Sequence, residues 1–254
     1  VYQKNQSSNV TIGYTCQPNE DWQLKALLST GFRSPNIDDL GKTREHNGIL
    51  TVPNMDLTPE YIVSSELGIK RYWKKGSFFE INGYYATIQD YIARGPYEIL
   101  EDRSTTSADT IMFSGDEVKI VANKNVGQVR IYGLSAQSEW KMATNLNYAG
   151  TFTLTKGHGN ELSGTPPSIS PFFSTQKLDW NLKKGRLGLE WNYVGAKAPN
   201  KYSPWGEDGL EETPILPNGQ YAGTPAWHRW DLHFAYPLNN SLHVSGGVYN
   251  LFDT

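Results

Sequence analysis

Gly31–Glu60 reads GFRSPNIDDLGKTREHNGILTVPNMDLTPE. The stretch is rich in Pro, Asn, Asp and Gly and has no sustained apolar period, so it reads as a loop. On both sides the sequence changes abruptly into alternation. Upstream, Trp22, Leu24, Ala26 and Leu28 alternate with Gln23, Lys25, Leu27 and Ser29. Downstream, Tyr61, Val63, Leu67, Ile69 and Trp73 face one way, and Ser64, Glu66, Gly68 and Lys70 the other. Side chains of period two belong to β-strands. A loop of about thirty residues between two strands is uncommon unless it has a function.

The same pattern continues outward. Val10, Ile12, Tyr14 and Cys16 form an earlier alternating run, closed by a turn at Pro18-Asn19-Glu20. Lys74-Lys75-Gly76 turns the chain into Phe79, Ile81, Gly83 and Tyr85. A second long segment, Arg94 to Asn125, has room for a short hairpin at Ser114-Gly115-Asp116. Tyr132, Leu134, Ala136 and Trp140 then alternate, turn near Thr144, and return through Leu146, Tyr148, Phe152 and Leu154. After a shorter loop at His158 to Pro167, a strand ends at Leu178 and Trp180, and Lys183-Lys184-Gly185 turns into Leu187, Leu189, Trp191 and Tyr193. A third long loop, Ala196 to Pro225, precedes Trp230, Leu232, Phe234 and Tyr236; Asn239-Asn240 turns into Leu242, Val244 and Val248. The expectation is all-β, with about ten antiparallel strands.

Two regularities point to a transmembrane barrel. Short turns and long loops alternate strictly, as short periplasmic turns and long extracellular loops do. Trp22, Trp73, Trp140, Trp180 and Tyr236 sit beside the short turns, and Phe32, Tyr61, Tyr91, Trp227 and Phe252 beside the long loops. Two aromatic girdles at two interfaces would have this spacing. Lys25, Glu66, Lys70, Glu80, Glu139, Glu190 and Asp231 keep to the polar parity, which a lumen accepts. Arg71 and Arg130 are the exceptions, both near strand ends where they can snorkel. A soluble antiparallel sheet also alternates, so alternation alone leaves that reading open.

Composition agrees. The 254 residues include 15 Tyr, 9 Phe and 8 Trp against 3 Met and one Cys. The chain is hydrophilic on average and has no apolar run long enough for a membrane helix, neither of which excludes a barrel wall. A net charge of -3 without basic clusters argues against nucleic acid as a partner. Cys16 has no partner thiol and shares the parity of Val10, Ile12 and Tyr14. Val1-Tyr2-Gln3-Lys4 does not open a signal peptide. No G-x-S-x-G, H-E-x-x-H, P-loop or G-x-G-x-x-G occurs, so no enzyme, cofactor or metal site is expected.

FRSPNIDDLGK (Phe32 to Lys42), PNMDLTPE (Pro53 to Glu60), ELGIK (Glu66 to Lys70) and the closing NLFDT (Asn250 to Thr254) resemble, in this order, the barrel of TonB-dependent outer-membrane receptors. The NGYY and GLSAQSEWK strands and GTPP (Gly164 to Pro167) extend the likeness across the chain. Its form is most similar to receptors of the Bacteroidetes type. The resemblance implies an up-and-down transmembrane β-barrel segment, about ten strands of a larger 22-stranded barrel. Residues 1–254 are then a partial barrel domain, with the family's plug domain, TonB box and final strand outside it. The implied activity is TonB-coupled import of an iron-siderophore, haem or cobalamin across the outer membrane of a Gram-negative bacterium. Outer-membrane lipid, TonB through the missing N-terminal region and the iron chelate, haem or cobalamin are the implied partners. A passive porin-like channel and a soluble β-sheet binding module are the alternatives.

Six residues are candidate substrate contacts. His46 lies where haem-specific members of this family carry a ligand histidine; its other reading is an exposed loop histidine. Arg33 and Arg44, with Lys42, could attract an anionic chelate, although Arg33 could equally brace the loop against the barrel rim. Tyr202, Trp205 and Tyr221 in the third loop resemble aromatic contacts for flat or apolar ligands, or else cover the barrel mouth. Asp38-Asp39 and Glu211-Glu212 read as solvated.

Overall fold

Alternation becomes a hydrogen-bonded ladder over most of the chain in the computed structural model, which describes residues 6–98, 110–160, 165–203, 205 and 207–253. Ten strands follow one another as antiparallel neighbours: β1 (Thr11–Asn19), β2 (Trp22–Arg33), β5 (Glu60–Trp73), β6 (Ser77–Pro96), β8 (Asp116–Ala143), β9 (Leu146–Gly159), β10 (Phe173–Leu182), β11 (Gly185–Val194), β12 (Trp227–Pro237) and β13 (His243–Val248). Three short strands, β3 (Arg44–His46), β4 (Ile49–Thr51) and β7 (Thr110–Phe113), join the sheet off this path. The expected number of wall strands is therefore met, and β1 and β13 end the path without pairing to each other among the described residues.

The wall is sided the opposite way from a soluble sheet. Leu67 is 70% exposed and Ile12 64%, whereas Glu80 is 5% and Asp231 2% exposed. A water-soluble domain buries the first pair and exposes the second. Here the apolar parity forms the exposed face of the wall, and Glu80 and Asp231 on the charged parity are enclosed and paired. Lys25 and Lys70 both reach Glu80, at 3.0 and 3.3 Å, and Gln137 donates to the same carboxylate at 2.9 Å. Arg229 holds Asp231 at 2.9 Å.

The short turns are where the sequence places them. Asn19 Oδ1 accepts from the backbone N–H groups of Asp21 and Trp22, and Asn239 Oδ1 does the same for Ser241 and Leu242. Such Asx turns compete well with the ladder and close a hairpin within a few residues. Trp73 lies 4.6 Å from Trp140, centroid to centroid, beside these turns. At the other end Phe32 stacks with Tyr61, and Tyr85 with Tyr132. Tyr91 departs from that upper ring. Asp90 takes a φ of 53°, and Tyr91 beyond it comes under the charges of Glu207, Glu60, Arg33 and Asp208 on the inner side.

Two long segments hold more structure than their composition suggests. Gly31–Glu60 contains a helix, α1 (Ile37–Gly41), and the β3–β4 hairpin. Asn36 caps α1 in a reciprocal box with Asp39, and Asn47-Gly48, at φ 52° and 74°, makes the two-residue turn. Arg94–Asn125 is mostly strand, because β6 and β8 run beyond the wall; the hairpin at Ser114-Gly115 joins β7 to β8 as expected. Residues 99–109 of that segment, and Gly164 of GTPP, lie outside the described residues. Pairing with β4 and β7 gives the overhanging end of β8 the partners that solvent would otherwise supply. Val118, Ile120, Val121 and Ala122 are fully buried there, and Leu40, Leu57 and Ile92 cluster nearby. Most of the buried apolar side chains among the described residues thus sit under the loops.

Candidate functional site

The first loop is carried by β8. Ile49, Leu50 and Thr51 of β4 pair in parallel with Lys119, Ile120 and Val121, and the Gly48 carbonyl accepts from Lys119 N–H at 2.8 Å. Gly48 is required at φ 74°, a conformation a β-branched residue avoids. On this fixed hairpin, Arg44 and His46 stand two residues apart and point to one side.

The third loop, 195–226, is fastened over the same region. Asp208 accepts from Lys197 Nζ at 2.6 Å, Ser203 N–H at 3.1 Å and Ser168 N–H at 2.8 Å. Glu207 accepts from the backbone N–H of Arg94 and from the Ser203 hydroxyl, both at 2.9 Å. The Arg94 guanidinium donates to the Trp205 carbonyl at 3.1 Å. Burial raises the Glu207 carboxyl above its ordinary range, although the Arg94 and Ser203 hydrogen bonds pull the other way.

Between the two loops lies a cavity of about 230 Å³. Arg44 and His46 line it from the first loop, Trp205 and Tyr221 from the third, and Arg94 from β6. A wider one of about 510 Å³ adjoins it, shares Arg44, His46 and Arg94, and adds Lys42, Glu207 and Glu212. The opening therefore combines cations and aromatic faces with an acidic border. His46 is exposed, with its Nε2 3.2 Å from Asn47 Nδ2.

Four of the six candidates thus meet: Arg44, His46, Trp205 and Tyr221. The other two stand apart. Arg33 donates to both oxygens of Glu60, at 2.7 and 3.0 Å, and to Asp39 at 2.7 Å, which makes it a brace between β2, β5 and α1. Tyr202 is buried; its hydroxyl bonds Thr224 Oγ1 and its ring faces Lys197 Nζ at 4.5 Å. Arg94 was not singled out, because its stretch reads as loop and not as an inward strand end. Glu211 and Glu212 read as solvated, yet both border the opening. The turn at Gly209, with φ 70°, brings them there and is legible in Glu-Asp-Gly.

Comparison with known proteins agrees with this architecture. Residues 2–251 match the family model "TonB dependent receptor-like, beta-barrel". Among curated proteins, the chain is 23% identical to a probable hemoglobin and hemoglobin-haptoglobin-binding protein 4 of Haemophilus influenzae, over 96% of this chain and 24% of that protein. It is 24% identical to the ferric enterobactin receptor PirA of Pseudomonas aeruginosa, over 92% of this chain and 31% of the relative. Among solved structures, a ferric enterobactin receptor, PfeA of Pseudomonas aeruginosa with enterobactin bound, superposes with a TM-score of 0.71 at 18% identity, covering 96% of this chain and 35% of that one. The copper transporter OprC superposes with a TM-score of 0.70 at 19% identity, over 95% and 33%. The chain spans about a quarter to a third of the length of these relatives. An inside-out wall of ten consecutive antiparallel strands, matched from residue 2 to residue 251, places this chain in the TonB-dependent receptor family, within its β-barrel domain.

Proposed function

We propose that this chain is the ligand-capturing part of an outer-membrane importer of a Gram-negative bacterium, and that it takes an anionic iron chelate into the opening between its first and third loops. The observation that supports this reading is the meeting of Arg44 with Trp205 and Tyr221 across one cavity. Guanidinium groups neutralise a chelate's anionic oxygens, and aromatic faces accept its flat, apolar parts. The named siderophore receptors among the relatives point to the same ligand class. Binding involves no covalent step. Passage into the periplasm then needs work from TonB, transmitted by a plug within the barrel.

Haem is the second reading, favoured by His46 in the same opening and by the haemoglobin-binding relative. Iron ligation at Nε2 would have to displace Asn47. Cobalamin has no particular feature here that favours it. The test uses the whole receptor in detergent, titrated with ferric enterobactin and separately with haemin, while tryptophan fluorescence is followed. Saturable quenching by the chelate, weakened about tenfold in Arg44→Ala, is expected, since a charge-assisted contact contributes about 1.5–3 kcal/mol. A Soret shift that needs His46 would select haem instead. Unsaturable flux with no binding to either ligand would select a porin-like channel.

A further inference from the structure

We infer that Arg71 is a binding site for the phosphate of a glycerophospholipid, in the leaflet that meets the short turns. Arg71 pairs with Trp22 across β2 and β5 and shares the lipid-facing parity of Leu67 and Ile69. Its guanidinium carbon lies 5.1 Å from the Trp22 ring centroid and 4.9 Å from that of Trp73. Trp73 in turn touches Trp140 at 4.6 Å, so the cation is set in a band of indole rings. The band is level with the turns, because Tyr72 N–H donates to the Asp21 carbonyl at 2.7 Å.

Three other arginines among the described residues are matched to carboxylates: Arg33 with Glu60, Arg186 with Asp179, and Arg229 with Asp231. No carboxylate among the described residues lies within ion-pair distance of Arg71. Arg71 is exposed, as is Lys74 on the adjoining turn. A cation on the lipid face at midplane would cost about 2–4 kcal/mol, a penalty that vanishes only where it reaches the interface. Indole rings settle at headgroup depth, so Trp22 and Trp73 set the guanidinium at the depth of lipid phosphates. The guanidinium carbon lies over both rings, and the planar fork of N–H donors fits two oxygens of one phosphate. Arg130, the other arginine on this parity, is exposed at the long-loop end. It is bonded to Gln128 and, among the described residues, has no flanking indoles.

This inference rests on the membrane reading of the wall. Its test is native mass spectrometry of the detergent-extracted receptor, titrated with phosphatidylglycerol and, separately, with diacylglycerol of the same chains. Retention of phosphatidylglycerol by the wild type is expected. Binding should be about tenfold weaker in Arg71→Gln, as for one lost charge-assisted contact, unchanged in Arg130→Gln, and absent for diacylglycerol. Arg71→Lys keeps the charge without the fork and should bind several-fold less tightly, which keeps the inference testable if Arg71→Gln does not fold. Equal retention by wild type and Arg71 variants, or equal retention of diacylglycerol, overturns the site. So does selective retention of lipopolysaccharide in place of phospholipid. A protein that needs detergent yet shows no such preference sinks this site alone, whereas one that dissolves without detergent sinks the membrane reading.

Discussion

Glu60 receives both Nε and Nη2 of Arg33 at 2.7 and 3.0 Å, from a residue 27 positions earlier in the chain. The same carboxylate accepts the backbone N–H of Ile92 at 2.7 Å. One buried side chain therefore joins β2, β5 and β6 where the wall ends and the loops begin. Glu60→Ala should destabilise the first loop by about 2–3 kcal/mol, because it leaves a donor from β6 buried and unmade. Arg33→Lys should recover only part of a truncation's loss, since an ammonium cannot bridge both oxygens. Protease cleavage within 34–59, measured in folded detergent samples, reads both effects.

Leu67 and Glu66 are sequence neighbours on opposite faces of β5. Leu67→Arg should cost about 2–4 kcal/mol of barrel stability in a bilayer. Glu66→Gln should cost less than about 0.5 kcal/mol, the ordinary range for substitutions away from special features. Denaturant unfolding in lipid vesicles separates the two outcomes. Similar costs at both positions would contradict the inside-out wall.

Gly48 is the second turn residue between Arg44–His46 and Ile49–Thr51, at φ 74°. Gly48→Val should cost about 1–2 kcal/mol at the hairpin and weaken chelate binding without touching a ligand contact. Asn47→Gly should leave binding nearly unchanged, because Gly accepts the same backbone conformation. Fluorescence titration of the two variants provides the comparison.

Glu207 predicts a pH dependence of the third loop. Burial raises its carboxyl above the ordinary 4.5, so the folded loop holds the proton more tightly than the unfolded chain does. The stabilising contribution is complete below that ordinary value and is lost as pH rises through the raised one. At neutral pH the loop carries the cost of a buried charge. Protection factors across 195–226, which are corrected for the intrinsic pH dependence of amide exchange, should therefore be higher at pH 5 than at pH 7.5. Glu207→Gln should flatten that difference, since the amide oxygen still accepts from Arg94 N–H and carries no charge.

Much of the architecture was legible because a strand's period is two and a membrane wall leaves that period uninterrupted. The hairpins at Asn19, Lys74–Gly76, Thr144, Lys184 and Asn239 follow directly from turn residues between alternating runs. The loops were less legible. Asn47-Gly48 is a strong local hairpin signal, but β4 gains its stability from β8, about seventy residues later. Likewise the Arg94 stretch looks like loop because its Gly and Pro outweigh the alternation, yet pairing of Gly95 and Pro96 with Ala122 and Val121 makes it strand.

By itself the sequence determined that this protein is a succession of antiparallel strands with long loops at one end, since both follow from neighbours in the chain. Which loop residues share an opening, only the tertiary structure decided. Arg44 and His46 lie about 160 positions from Trp205, and nothing local links them. Parallel pairing of β4 with β8, and the hydrogen bonds of Glu207 and Asp208, bring the two loops together because each buried backbone or carboxylate group must find a partner.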